Sequence, residues 1–212
     1  MLSPTVDPLL DHLVFATPDL RATADEFAAA TGIRPVDGGR HVELGTRNQL
    51  VALGPASYLE IVGPDVENPM PLGSAPFGVD RLLRPRLLTW CVRPPEIDEA
   101  VRAARPAGVD FGAVRTVGRV TPAGTALSWQ VAAVDPPPYD GIVPFLIDWG
   151  TTRHPATTGA PTVELLSFQA THPKPADVTT VMDALGISLI VTTGPSGLEA
   201  TVAGPAGTYL LR

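Results

Sequence analysis

One stretch of the chain recurs without a gap. Residues 16–33, ATPDLRATADEFAAATGI, lie over residues 170–187, ATHPKPADVTTVMDALGI, and residues 92–109 form a middle stretch of the same length. Self-similarity of this kind constrains architecture before any residue has a role. Each copy follows a short apolar run that reads as a strand, at 10–16, 87–92 and 163–170. Each copy itself reads as a helix. Leu20, Ala24, Phe27 and Ala28 share one face in the first; Ile97, Ala100, Val101 and Ala104 do so in the second, and Val178, Val181, Met182 and Leu185 in the third. Asp19 is placed to cap the first helix, and Gly32, Gly108 and Gly186 close the three. Three further strand-like pieces follow each helix: 40–44, 49–53 and 58–62; then 114–120, 126–134 and 143–149; then 188–192, 198–202 and 208–211. The fold class is α+β, with repeated β-α-β-β-β units at 9–65, 87–150 and 162–212. Residues 66–86 connect the first two units, with a short helical turn near 79–83.

Composition supports many short strands. Gly 20 and Pro 24 together make about a fifth of 212 residues, against a usual share of roughly 12%. That excludes a helical bundle or coiled coil. The net charge is −7 and no basic run occurs, so the footprint of a nucleic-acid binder is missing. Lys174 is the single lysine, so any cation in a pocket is expected to be an arginine, a side chain suited to carboxylate or phosphate. The lone Cys91 excludes an internal disulfide and a cysteine-based zinc site. No apolar run approaches the ~20 residues of a membrane span, and residues 1–10 do not read as a secretory signal. A cytoplasmic protein is expected. No Gly-rich phosphate loop, G-x-S-x-G elbow or H-E-x-x-H motif is present.

Four short segments carry a family resemblance. They are Asp11-His12-Leu13-Val14-Phe15-Ala16 running into Pro18-Asp19-Leu20, Gly38-Gly39-Arg40-His41, Gly45-Thr46-Arg47-Asn48, and Tyr58-Leu59-Glu60-Ile61. In order and spacing they resemble the glyoxalase-like branch of the vicinal-oxygen-chelate superfamily. The likeness covers about residues 9–65 and extends to about Gly150 through the repeat and the strand at 144–149. It implies that two β-α-β-β-β units pair into curved mixed sheets around a cleft. It also implies a small-molecule ligand and metal donors on the first and last strands of the units. Metal-dependent lyase, isomerase or dioxygenase chemistry is one expectation. A metal-free protein that binds or sequesters a small molecule in the same cleft is the other, and a scaffold without chemistry is a third.

Strand periodicity puts His12, Val14 and Ala16 on one face. Glu60, between Leu59 and Ile61, is costly to bury without a partner. If the two strands are neighbours, the pair suits a divalent Zn, Fe, Mn or Ni, with His41 as a third donor. Each residue also has a plainer reading. His12 can be satisfied by an ordinary hydrogen bond. Glu60 can pair with Arg47, or act as a general base. His41 can belong to a turn or touch substrate, and Asn48 can cap a hairpin or touch substrate. Arg47, Asn48, Arg119, Trp129, Phe145 and Trp149, together with Arg115 and Tyr139, are candidates for the walls of a small-molecule pocket. His154 and His172 lie in Pro-flanked loops and read as solvated, and Cys91 reads as core.

The second unit departs from this pattern. Its match to His12 falls at Leu88, Thr89 or Trp90, and its match to Glu60 at Ile147, with Asp148 sent to the opposite face. In the third unit the equivalents are Leu166 and Leu211. The third unit either packs on the side of the first pair or pairs with its counterpart in a second chain. Its free sheet edges would need cover, so a homodimer is expected.

Overall fold

The computed structural model describes residues 7–212. The first run of elements is β1 (Leu10–Ala16), α1 (Leu20–Thr31), β2 (Val36–His41), β3 (Thr46–Ala52) and β4 (Tyr58–Pro64). The second is β5 (Arg86–Val92), α2 (Ile97–Ala104), β6 (Arg115–Val120), β7 (Ala126–Ala132) and β8 (Phe145–Asp148). The third is β9 (Glu164–His172), α3 (Pro175–Ala184), β10 (Ile190–Thr193), β11 (Gly197–Gly204) and β12 (Gly207–Leu211). The α+β class and the curved mixed sheet are both present.

The first two runs close into one eight-stranded barrel, ordered β1-β4-β3-β2-β6-β7-β8-β5. In each half the first strand lies parallel to the last. His12 sits opposite Tyr58 across β1 and β4, and Cys91 opposite Phe145 across β5 and β8. The halves join at two seams. One is the antiparallel pair β1–β5, and the other is a single residue pair, Arg40 and Val120, between β2 and β6. Helix α1 begins where Asp19 accepts a hydrogen bond from the Ala22 amide and stops at Gly32, whose φ of 75° is left-handed.

Local boundaries differ from expectation in one informative place. The strand expected at 40–44 ends at His41, and Val42–Leu44 form a 3-10 turn. The stretch 45–48, read as a connection, is a turn only at Gly45. Thr46, Arg47 and Asn48 already belong to β3, because that strand pairs with β4 from Ala52–Tyr58 through to Thr46–Pro64. The short helical turn between the first two runs is a 3-10 segment at Pro76–Arg81.

The third run has the same order of elements but a different pairing, β10-β9-β11-β12. Its β10 lies directly beside β9, whereas β2 is three places from β1. This sheet packs on the outside of the barrel within the same chain. Leu87 donates its amide to the Arg212 carbonyl at 3.1 Å, the Trp90 and Phe168 rings meet at 5.1 Å, and Tyr209 reaches Phe15 and Phe27. One hydrophobic core runs through all three runs, including Leu13, Phe27, Trp90, Leu146, Val181 and Leu198. Among the described residues no helix is long and apolar enough to cross a membrane.

The Gly38-Gly39 pair shapes the β2–β6 seam. Gly39 has φ +125°, and a Cβ there would overlap the Val120 carbonyl across the seam. A Gly39→Ala change is expected to cost at least about 2 kcal/mol through backbone strain and loss of the seam. Urea denaturation measures this, and a cost below about 0.5 kcal/mol would mean that the seam tolerates a side chain.

Candidate functional site

A cavity of about 330 Å³ lies inside the barrel. Its walls follow from strand alternation. His12 and Val14 face inward from β1, Tyr58, Glu60 and Val62 from β4, and Thr46 and Asn48 from β3. Arg115, Val117 and Arg119 come from β6, Trp129 and Val131 from β7, and Phe145 and Ile147 from β8, followed by Trp149. Phe77, from the connection between the halves, also lines the cavity. No lining residue comes from beyond Trp149.

The sequence-predicted residues His12, His41 and Glu60 meet here. His12 Nε2 lies 3.9 Å from Glu60 Oε2, and His41 Nε2 lies 4.0 Å from Glu60 Oε1. Asn48 donates from Nδ2 to Glu60 Oε1 at 2.5 Å. Glu60 is therefore the middle member of a chain with an imidazole on either side. Burial pushes the His41 pKa below its usual value, against the opposing pull of Glu60, so its imidazole is neutral near pH 7. Asn48, Arg119, Trp129, Phe145 and Trp149 all line the cavity. Arg47 does not. Alternation along β3 turns it to the outer surface, where it pairs with Asp37 at 3.1 Å. The partner of Glu60 is Asn48 rather than Arg47.

Asp11 is the largest omission from the sequence reading. The β1–β5 register steps from Leu10–Val92 to His12–Cys91, so a bulge falls at Asp11. Its side chain is fully buried and accepts from three donors. They are His12 Nδ1 at 2.8 Å, Trp149 Nε1 at 3.0 Å and His154 Nε2 at 3.1 Å. Arg93 adds a charge at 3.5 Å. Burial alone would raise the Asp11 pKa, but the hydrogen bonds and charges of His12 and His154 outweigh it and hold the carboxyl well below its usual range. With Nδ1–H held by Asp11, His12 keeps its Nε2 lone pair free toward Glu60. His154 is not solvated: its Nδ1 accepts from the Ala156 amide, which fixes the proton on Nε2 for Asp11. His172 is likewise buried, with Nδ1 accepting from the Lys174 amide at 3.0 Å. A fully buried Asp beside a His on an otherwise apolar strand was the available signal, since such a carboxylate requires donors.

The register also corrects the second-half equivalences. Cys91 faces Phe145 as His12 faces Tyr58, so Cys91, and none of Leu88, Thr89 and Trp90, takes the place of His12. Ile147 takes the place of Glu60, and Asp148 caps the Gly150 amide instead. Among the described residues, Asp11, His12 and Cys91 form the group whose donor atoms all lie within 4.8 Å of one another. Its chemistry does not fit a cation: the Asp11 oxygens are already taken, and burial raises the Cys91 thiol pKa so that it stays protonated. The His12–Glu60–His41 chain does fit in donor type, as two imidazoles and a carboxylate facing a cavity.

A family model described as a glyoxalase-like domain matches residues 10–186. The chain belongs to the glyoxalase-like domain family. This places it in the vicinal-oxygen-chelate superfamily. A hypothetical protein from Staphylococcus aureus shares the fold at 12% identity and TM-score 0.63, over 96% of this chain and 85% of that one. Methylmalonyl-CoA epimerase from Mycobacterium tuberculosis matches at 21% identity and TM-score 0.43, over 71% of this chain and 93% of that one. A Streptomyces coelicolor methylmalonyl-CoA epimerase variant, in complex with 2-nitronate-propionyl-CoA, matches at 20% identity and TM-score 0.42, over 69% and 97%. No curated protein matches the sequence.

The buried Asp11 anion makes a prediction about acid stability. Its native pKa is depressed, so its contribution is fully present above the unfolded value of about 3.9 and is lost as pH falls toward the native value. An Asp11→Asn change is expected to cost about 3 kcal/mol at pH 6. The gap to wild type should narrow at pH 3 in urea titrations. A gap that stays constant between the two pH values would sink this account.

Proposed function

We propose that this glyoxalase-like protein acts on a small organic carbonyl compound held in the barrel cavity, with Glu60 as its general base. The supporting observation is the position of Glu60. Its carboxylate is 13% exposed, faces the cavity, and has an imidazole Nε2 about one ligand atom away on each side. A substrate seated against Trp129 and Phe145 would present a C–H next to its carbonyl to that carboxylate. The proton passes to Glu60, and the bonding pair shifts onto the carbonyl oxygen as an enolate. The His12 Nε2 lone pair can then take the proton from Glu60, while Asp11 stabilises the resulting imidazolium. The 3.9 Å separation is long for a transfer, and substrate binding is expected to tighten it.

His12, His41 and Glu60 are the residues that would hold a divalent Zn, Fe, Mn or Ni. When bound, such an ion would supply Lewis-acid polarisation of the same carbonyl oxygen, and it would replace the proton relay to His12, whose Nε2 lone pair it would occupy. A second reading, ligand binding without turnover, is favoured by one observation: the second-half positions that face this cluster are Cys91, Phe145 and Ile147, which add no donor for chemistry.

Two measurements separate these readings. The first is exchange of solvent deuterium into a panel of small ketones and 2-oxo acids, followed by NMR. Glu60→Gln is expected to slow that exchange by about 100-fold or more if Glu60 is the base. Exchange that is absent in wild type, or equal in the two proteins, removes the catalytic reading. The second is the metal content of protein purified without a His-tag, compared with His12→Ala. Stoichiometric metal that is lost in the variant supports the metal-assisted form.

A further inference from the structure

Arg119 is buried to 7% exposure inside an acidic protein, yet among the described residues no carboxylate lies within 4 Å of it. Most of its neighbours explain why it can be there at all. Its Nη1 donates to the Gly38 carbonyl and to Asn48 Oδ1, the latter at 3.2 Å. A Cβ at Gly38 would collide with that same Nη1 and with Asn48 Oδ1, so the guanidinium occupies space that only a glycine leaves open. The group is thus held in one orientation by β2 and β3 while it projects from β6.

Its other edge is not used. Among the described residues neither Nε nor Nη2 has a protein acceptor, and neither is fully buried, because the one buried side-chain polar atom without a partner there is Asp80 Oδ1. Arg119 lines the cavity, which leaves the Nε–Nη2 edge as the one available to a ligand there. Two parallel N–H donors on a rigid guanidinium match the two oxygens of a carboxylate. A buried guanidinium without an anion is costly, and a bound anion would offset that cost. Glu60 is the nearest acid in the hydrogen-bonded chain, but Asn48 stands between, accepting from Arg119 and donating to Glu60. The cavity thus holds a cation and a base on opposite sides of one amide. Arg115, four residues earlier on the same face of β6, adds positive charge on the same wall.

We infer that the ligand of this cavity is a small organic carboxylate with an apolar or aromatic body, received by the Nε–Nη2 edge of Arg119 while its body lies on Trp129, Phe145 and Trp149. This rests on the reading of the barrel cavity as the binding site and names the class of ligand it takes. It does not require Glu60 to act as a base.

Tryptophan fluorescence tests it with two probes of nearly equal shape, benzoate and benzamide. Benzoate is expected to quench the emission of Trp129 and Trp149 saturably, and benzamide to bind at least tenfold more weakly. Arg119→Lys keeps a charge but loses the fork, and should weaken benzoate binding at least tenfold and by a larger factor than benzamide binding. The two-probe comparison in wild type stands even if the variant fails to fold. Equal affinity for the two probes, or benzoate binding unaffected in a folded Arg119→Lys protein, would overturn the inference. Benzoate binding with no deuterium exchange in any substrate would leave the carboxylate site intact and remove only the catalytic role of Glu60. Quenching by neither probe would remove the carboxylate site, whatever the exchange experiment shows.

Discussion

A carboxylate without water organises this site. Asp11 is fully buried, and its charge is tolerable only because three N–H donors converge on it from three different segments. One donor is its neighbour on β1, one follows β8, and one lies in the connection beyond. Through Asp11 the first strand of the barrel is tied to the last strand of the second half, across the β1–β5 seam. The same contacts set two imidazole tautomers and the Trp149 indole. Losing the anion would leave several buried donors unpaired at once, which costs more than any one of those hydrogen bonds contributes. The bulge at Asp11 is therefore a feature of the site: without it, strand alternation would turn Asp11 away from His12.

How far the sequence carried this picture depended on the kind of signal. The helices and first strands were readable because apolar periodicity, the Asp19 cap and the Gly32 stop are local. The meeting of His12 and Glu60 was readable because β4, and β1 from His12 onward, run in register as parallel neighbours. What depended on distant pairing was not. The third run matches the first in element order, yet its second strand pairs beside the first, and nothing in the order of elements states that choice. Asp11 and His154 are 143 residues apart, so the polar, Pro-flanked context of His154 looked like solvent. The equivalence of Cys91 with His12 is masked by spacing. Eight positions separate His12 from the start of α1, and six separate Cys91 from the start of α2, so counting back from the helix lands near Thr89. Arg47 was drawn toward the site by the turn-like Gly45, and one step of strand alternation removed it.

The two halves of the barrel share a geometry but not a chemistry. His12, Tyr58 and Glu60 in the first correspond to Cys91, Phe145 and Ile147 in the second. Every polar or titratable inward position of this set has become a hydrophobic or inert one. The exchange gives the cavity a direction. Its first-half wall carries Glu60 and both imidazoles, while β7, β8 and the residue after β8 supply an aromatic face of Trp129, Phe145 and Trp149. Arg119 breaks the division, because it belongs to β6 of the second half yet reaches across the seam to Gly38 and Asn48. That reach is possible only where β2 lacks a side chain. A ligand entering this cavity thus meets charge at the seam, apolar surface along the second half and proton-accepting groups along the first. Those three surfaces are fixed by backbone pairing and by a glycine, so under the proposed reading they would favour one ligand orientation over several.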